Sequence, residues 1–305
     1  MTNELHRCPR KYQLIKARAA SGGAGSNNVD FAYGHSVGSG IQSWLSSGYD
    51  MDAAIFNGLM AWKLPYVAEN PKTKKSVWEA TVAIQKYAEF HQDVLDEWEV
   101  WVTPDGKPAI ELSISVDFEN GYKHYVHIDV ILRNKRTGQL AVQENKTTSF
   151  RAADEALYAN SNQALGYAAV VDMLSENTSF EVFYCVYSST QREWQLFPFT
   201  KFTSLKAEWI ADVRLDHALV STYHQLKFFP KRGESCFAFN RRCEFFGTCN
   251  LTENLAELKS LPVGEEAERV DYTFKVSELI ARQHERNANG NEPINQPACG
   301  ITSID

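Results

Sequence analysis

The feature that most constrains this chain is the stretch 110–148, where apolar and polar residues alternate with a period of two. IELSISVDF alternates, ENGY supplies a turn, KHYVHIDVIL alternates again, and NKRTGQ turns the chain once more into LAVQENKTT. Successive side chains on a strand point to opposite faces, so this stretch is expected to form a three-stranded meander. Its third strand begins apolar and ends charged.

The flanks have helical spacing instead. Residues 36–45 place Val37, Ile41, Trp44 and Leu45 on one face, and 74–95 form a longer helical stretch. Downstream, 154–174 has helical periodicity, with Asp154 as an N-cap and Leu157, Leu165, Ala168, Val171 and Met173 as apolar positions. Residues 179–187 and 193–199 resemble two further strands, and 202–226 returns to helix. The economical architecture for this order is α/β, a mixed central sheet flanked by helices. The Gly/Ser-rich segment 21–28 reads as a flexible connection, and NANGNEPINQ, after a short helix over 272–285, as a mobile tail. One main domain over 1–250 is expected, followed by a helix and tail over 251–305.

With 305 residues, 44% of them hydrophobic, the chain can bury a sizeable core. No apolar run reaches about eighteen residues and the opening MTNELHRCPRKYQLIK has no apolar signal stretch, so a cytoplasmic protein without membrane contact is expected. The net charge of −7 weighs against a nucleic-acid partner only weakly. Carboxylates clustered around a metal, with a local basic groove beside them, are compatible with an acidic whole.

Three residues of the meander carry chemistry. Asp129 lies on the second strand, and Glu144 and Lys146 lie two residues apart on the third, hence on one face. Two converging carboxylates suit Mg²⁺ or Mn²⁺, and a neighbouring ammonium can orient water or offset charge on a phosphate. An electrostatic role for Lys146 is preferred, since a basic role would require unusual ionisation. The bland alternative is a surface ion pair on a hairpin. His35, in YGHSVGSGIQSWL, could equally be a helix-end or core histidine. Gln163 and Tyr167, i and i+4 in NQALGYAAV, could be simply an amphipathic pair. Glu111 opens the first strand and reads best as an exposed strand carboxylate.

Cysteines form the other concentration. Three of the six, Cys236, Cys243 and Cys249, fall in FFPKRGESCFAFNRRCEFFGTC, and thiolates at such spacing suit zinc or iron–sulfur. Cys185 and Cys299 read as free thiols. Arg7, Arg10, Lys11, Lys16, Lys227, Lys231, Arg232, Arg241 and Arg242 surround the cysteine segments. They form either a basic wall for DNA or an ordinary solvated surface.

Taken as an ordered series, CPRKY, the His35 helix, HIDVIL, QENKTT, NQALGY and the C-terminal cysteines resemble the PD-(D/E)XK nuclease superfamily, in its RecB-like branch with an iron–sulfur cluster. The resemblance covers roughly residues 5–250, with a short segment ahead of Cys8 and a long Gly-rich one ahead of His35 as departures. It implies a restriction-endonuclease-like core with helical insertions and a metal-dependent deoxyribonuclease, expected to be an exonuclease on single-stranded DNA or duplex ends. It implies that Asp129, Glu144 and His35 hold Mg²⁺ or Mn²⁺ together with the backbone carbonyl of Asn145, and that Lys146, Gln163 and Tyr167 serve the reaction. It also implies a structural [4Fe-4S] cluster on Cys8, Cys236, Cys243 and Cys249, with zinc as the rival. A protein of this fold that binds nucleic acid without cutting is the alternative from another class. No P-loop motif is present, so any unwinding falls to a helicase or recombination partner, in a repair or phage setting.

Overall fold

The computed structural model describes residues 2–20, 28–119, 121–150, 154–159, 161–175, 180–238, 241–251 and 270–288. The Gly/Ser connection, apart from Asn28, most of the polar tail and Cys299 lie outside the described residues. In chain order the helices are α1 (Thr2–Arg7), α2 (Pro9–Ala20), α3 (Val29–Ser46), α4 (Met51–Ala61), α5 (Val77–Val94), α6 (Ala156–Ala159), α7 (Asn162–Val171), α8 (Thr203–Gln225), α9 (Phe246–Leu251) and α10 (Val276–Ala288). The strands are β1 (Glu69–Asn70), β2 (Lys75–Ser76), β3 (Trp98–Val100), β4 (Ile110–Asp117), β5 (Lys123–Asn134), β6 (Leu140–Thr148), β7 (Phe180–Ser188), β8 (Glu193–Lys201), β9 (Phe237–Ala238), β10 (Arg241–Arg242) and β11 (Tyr272–Lys275).

The expected meander is β4, β5 and β6, paired antiparallel, and it forms the middle of a mixed seven-stranded sheet. The sheet order is β11-β4-β5-β6-β7-β8, and β3 pairs with the far end of the long β5. β7 runs parallel to β6 after a crossover through α6 and α7, and β11 runs parallel to β4 at the edge. Helices cover both faces, so the architecture is α/β with a mixed central sheet flanked by helices. Among the described residues, no helix is long and apolar enough to cross a membrane.

Local chemistry starts the helices where the chain needs them. The Asn28 side chain caps α3 by accepting from the Asp30 N–H at 2.8 Å, and Ser76 caps α5 by accepting from Glu79 at 3.2 Å. On one face, α3 and α5 pack Val37, Ile41, Ile84 and Tyr87 onto Val130, Leu132, Phe183 and Cys185. On the other, α7 and α8 pack Ala168, Val171, Trp209 and Ile210 onto Leu112, Ile114, Val142 and Val182. Glycines set the closest approaches. A Cβ on Gly40 would stand 2.3 Å from Ile84, and one on Gly166 would stand 2.8 Å from the Trp209 ring.

Two pieces go beyond the sequence expectation. The N-terminal basic segment is helical, and α4 inserts between α3 and α5. The C-terminal segment also reaches the core. Val276 and Leu279 of α10 are buried with α7 and α8, each contributing about 1.5–3 kcal/mol. Buried Asp172 ties the three helices together, accepting from Gln283 at 2.8 Å and pairing with Lys206 and Arg286 at 3.4 Å.

Candidate active site

The meander is not regular throughout. On β5, Val126 and Ile128 face α7 and α8, whereas Val130 and Leu132 face α3 and α5. On β4, Leu112 and Ile114 lie with the first group and Ile110 with the second. The register flanks this change of phase with Ile110↔Val130 and Leu112↔Ile128, which sets Glu111 across from Asp129. Glu111 has φ of +54°, a left-handed conformation that an ordinary side chain adopts only when its surroundings impose it.

One strand further, β5 and β6 pair only as far as Val130↔Gln143. Asp129 and Glu144 therefore stand where the ladder stops. The backbone N–H of Asn145, freed from the ladder, donates to Asp129 Oδ2 at 3.0 Å. A backbone donor that would otherwise lie idle thus fixes a carboxylate.

Glu144 is 3% exposed and Lys146 forms an ion pair with its Oε1. Gln163, from the first turn of α7, donates from Nε2 to Glu144 Oε1 at 3.1 Å and accepts from Lys146 Nζ at 3.3 Å through Oε1. The same amide bonds the Tyr167 hydroxyl one turn on. Glu144, Lys146, Gln163 and Tyr167 are thus drawn into one network, with Asp129 on the neighbouring strand within reach of the Lys146 charge.

Burial pushes the Asp129 carboxyl above the usual carboxylate range, against the opposing pull of the Asn145 N–H and Lys146. Burial first, and then Asp129, does the same to Glu144. Glu144 Oε2 is buried without a hydrogen-bond partner. An orphaned carboxylate oxygen beside a second buried carboxylate is what a hard divalent cation relieves, so the donor set fits Mg²⁺ or Mn²⁺. Even so, among the described residues no three His, Cys, Asp or Glu side chains stand together ready to hold an ion.

His35 is the outlying member. It is exposed on α3 and forms no hydrogen bond or ion pair among the described residues. Its neighbour Gly34 lies against the end of β6, where an added Cβ would meet Thr147 Oγ1 at 3.6 Å.

Two supports escaped the sequence reading. Gln143, fully buried, donates to Tyr87 at 2.6 Å and to Asn145 Oδ1 at 3.0 Å, holding the Asn145 side chain from behind. Gln42 of α3 donates to Glu111, and burial followed by the charge of Glu144 raises the Glu111 carboxyl. Glu111 is exposed on β4, as the strand pattern implies, and lies near enough to Asp129 and Glu144 to share their repulsion. An alternating pattern announces neither contact, because the first needs Tyr87 of α5 and the second brings Gln42 of α3 to the change of phase at Glu111.

The second concentration joins the N-terminal helices to residues 236–249. Cys8, at the junction of α1 and α2, lines one cavity with Cys236, Cys243 and Cys249. Burial raises the Cys236 thiol, and Cys243, Cys8 and Cys249 add to it. Protein contacts hold the two chain ends here. Ser235 donates to Arg7 O at 2.7 Å, the Arg10 N–H to Pro230 O at 3.1 Å, and Lys231 to Cys249 O at 2.8 Å. Four cysteines lining one cavity suit a thiolate-bound group by their chemistry, although among the described residues no three of these side chains are drawn together ready to hold an ion. No disulfide joins the described cysteines, and Cys185 is a buried thiol of β7.

The expected basic wall loses one member. Arg10 is fully buried and bonded to Gln13, because α2 turns it inward, and Lys11 pairs with Glu4 at 2.9 Å.

No family model matches this sequence, and no curated protein matches it. Among solved structures, "Crystal structure of SSO0001" aligns at 10% identity and a TM-score of 0.27, over 66% of this chain and 82% of that one. A likeness that distant carries no statement about function.

Proposed function

We propose that this chain is a metal-dependent nuclease that hydrolyses DNA phosphodiester bonds from an end, a PD-(D/E)XK enzyme of the RecB-like kind. The observation that carries the reading is the broken ladder between β5 and β6. It places Asp129 and Glu144 opposite each other, with Lys146 and the Gln163–Tyr167 pair closing over them.

Asp129 and Glu144 would hold the cation, assisted by the Asn145 carbonyl and His35. When bound, the ion supplies positive charge to the scissile phosphate. The chain's own residues do the rest. Asn145 fixes Asp129, so the first carboxylate need not reorganise during the reaction. Gln163 fixes Glu144, Lys146 and Tyr167 relative to one another. Lys146 presents an ammonium to the negative charge that grows on the phosphate as water attacks. The water gives up a proton to solvent as it bonds to phosphorus, the phosphorus–oxygen bond to the leaving strand breaks, and the leaving oxygen takes a proton in its turn.

Cys8, Cys236, Cys243 and Cys249 would hold a structural [4Fe-4S] cluster that staples the chain ends. Iron and sulfide analysis of anaerobically purified protein separates this from zinc. The test of activity uses end-labelled single- and double-stranded DNA with Mg²⁺, Mn²⁺ or EDTA, beside Lys146→Ala. Metal-dependent shortening of the strand, lost in the variant, supports the nuclease. Intact DNA with the wild-type protein overturns it in favour of a non-cleaving binding protein.

A further inference from the structure

Glu111 plays no part in that account, yet its backbone is strained and its position is singular. Three adjacent strands carry an acid on the same rung: Glu111 on β4, Asp129 on β5 and Glu144 on β6. Neighbouring strands lie about 4.8 Å apart, so Glu111 and Glu144 each stand one strand's spacing from Asp129, and a turn of the Glu111 side chain is what would bring all three carboxyl groups onto one ion. Glu111 and Asp129 sit where both strands change phase, which removes each from the two apolar cores.

We infer that Glu111 is a third carboxylate ligand of the divalent cation, with Gln42 as its positioning residue. The inference rests on the nuclease reading of the Asp129 site and adds a ligand to it. An independent feature points to a cation in this row: Glu144 is 3% exposed and its Oε2 has no hydrogen-bond partner. Charge points the same way. Three carboxylates against the single ammonium of Lys146 leave a balance of two negative charges, which one divalent ion neutralises. Glu111 is exposed, so its side chain has room to turn toward the ion, and Gln42 approaches it from α3.

The left-handed backbone serves this arrangement. At an extended φ the residue would continue the alternation of β4 and its side chain would enter one face or the other. At +54° it leaves that alternation while keeping its place across from Asp129 in the register.

The test reads metal binding without DNA. Mn²⁺ alone is titrated into full-length wild-type protein, Glu111→Gln, Gln42→Ala and Asp129→Asn, by calorimetry and by loss of the free-ion EPR signal. Melting curves in EDTA accompany each variant to verify folding. Wild type should bind one ion tightly, Asp129→Asn should lose it, Glu111→Gln should weaken it about tenfold or more, and Gln42→Ala by a smaller factor. Glu111→Asn, which tolerates the left-handed conformation well, replaces Glu111→Gln if that variant melts early. Wild-type affinity in a folded Glu111→Gln, alongside loss in Asp129→Asn, overturns the role of Glu111 and leaves the nuclease reading standing. Absence of Mn²⁺ binding by wild type overturns both.

Discussion

The acidic row and the cysteine cavity are built by opposite means. The row sits on the central sheet, on strands whose neighbours Ile128, Val130 and Val142 are fully buried, and its chemistry spans only 129–167 apart from Glu111 and His35. The cavity joins residue 8 to residues 236–249 through two-residue strands, a single 3-10 turn and the six-residue α9. Cys236, Cys243 and Cys249 are only half-buried, and Phe237 beside them is 63% exposed. A site carried by a sheet keeps its shape with or without its ligand. A site made of short pieces brought from two chain ends closes a long loop, and the group that its thiolates hold is expected to contribute much of its order.

The largest effect that separates the two regions belongs to the row. Asp129→Asn should abolish cleavage, and Lys146→Ala should lower kcat by about 10²–10³-fold, the scale for removing one group that meets charge in a transition state. Neither should move the melting temperature by much, because an amide oxygen at position 129 still accepts from the Asn145 N–H. Bound iron should stay at the wild-type level in both. A collapse of melting temperature in Asp129→Asn would show that the row is structural and would erase the contrast.

Next comes the cavity. Cys243→Ala, or Cys8→Ser at the other chain end, should release the iron and sulfide together, lower the melting temperature and open residues 230–251 to proteolysis. Mn²⁺ binding should persist, since no strand of the row passes through the cavity. Retention of iron by either variant would mean that these sulfurs do not share one group.

How much of this was legible in the sequence follows from the same contrast. Alternation from Ile110 to Thr148 identified β4, β5 and β6, and the i, i+2 spacing of Glu144 and Lys146 put them on one face, where they pair. Gln163 and Tyr167, four apart on α7, meet as that spacing requires. What stayed hidden depends on breaks in pattern. The change of phase at Glu111 and Asp129 looks like ordinary alternation in the sequence, so their meeting on one rung is not announced there. Gln143 reads as one polar residue among several, although it props Asn145 against Tyr87. The four-residue β11 lies too far from β4 in sequence for any local pattern to pair them. Arg10 reads as surface in the sequence because a cationic side chain seldom lies inside, and only the packing of α2 reverses that.

A smaller effect concerns pH. Burial holds both Asp129 and Glu144 above the ordinary carboxylate range, so the folded protein keeps protons that the unfolded chain releases from roughly pH 4 upward. Protons bound in excess by the folded state mean that metal-free stability falls as pH rises through this window and levels off above it. Melting in EDTA at about pH 5 and about pH 8 should therefore show a drop in wild type that Glu144→Gln reduces. The cysteine variants should keep the wild-type drop, which assigns it to the row. Equal slopes for wild type and Glu144→Gln would mean that the pair is solvated rather than buried.

The smallest expected effect tests how the row is roofed. Gly166 lies between Gln163 and Tyr167 on α7, on the side that meets Trp209 of α8, where an added Cβ would come within 2.8 Å of the ring. Gly166→Ala gains about 1 kcal/mol from helix propensity but overpacks a filled contact at a cost of about 1–3 kcal/mol, so a slight loss of stability is expected. Relief comes most cheaply by sliding α7 away from α8, and that motion carries Gln163 off Glu144. Cleavage should then fall several-fold while Mn²⁺ affinity stays near wild type, because Asp129 and Glu144 ride on the strands and not on α7. A proportionate fall in Mn²⁺ affinity would show that the roof, and not the sheet, sets the geometry of the acids, and the sheet-borne site would prove as dependent on its surroundings as the cysteine cavity.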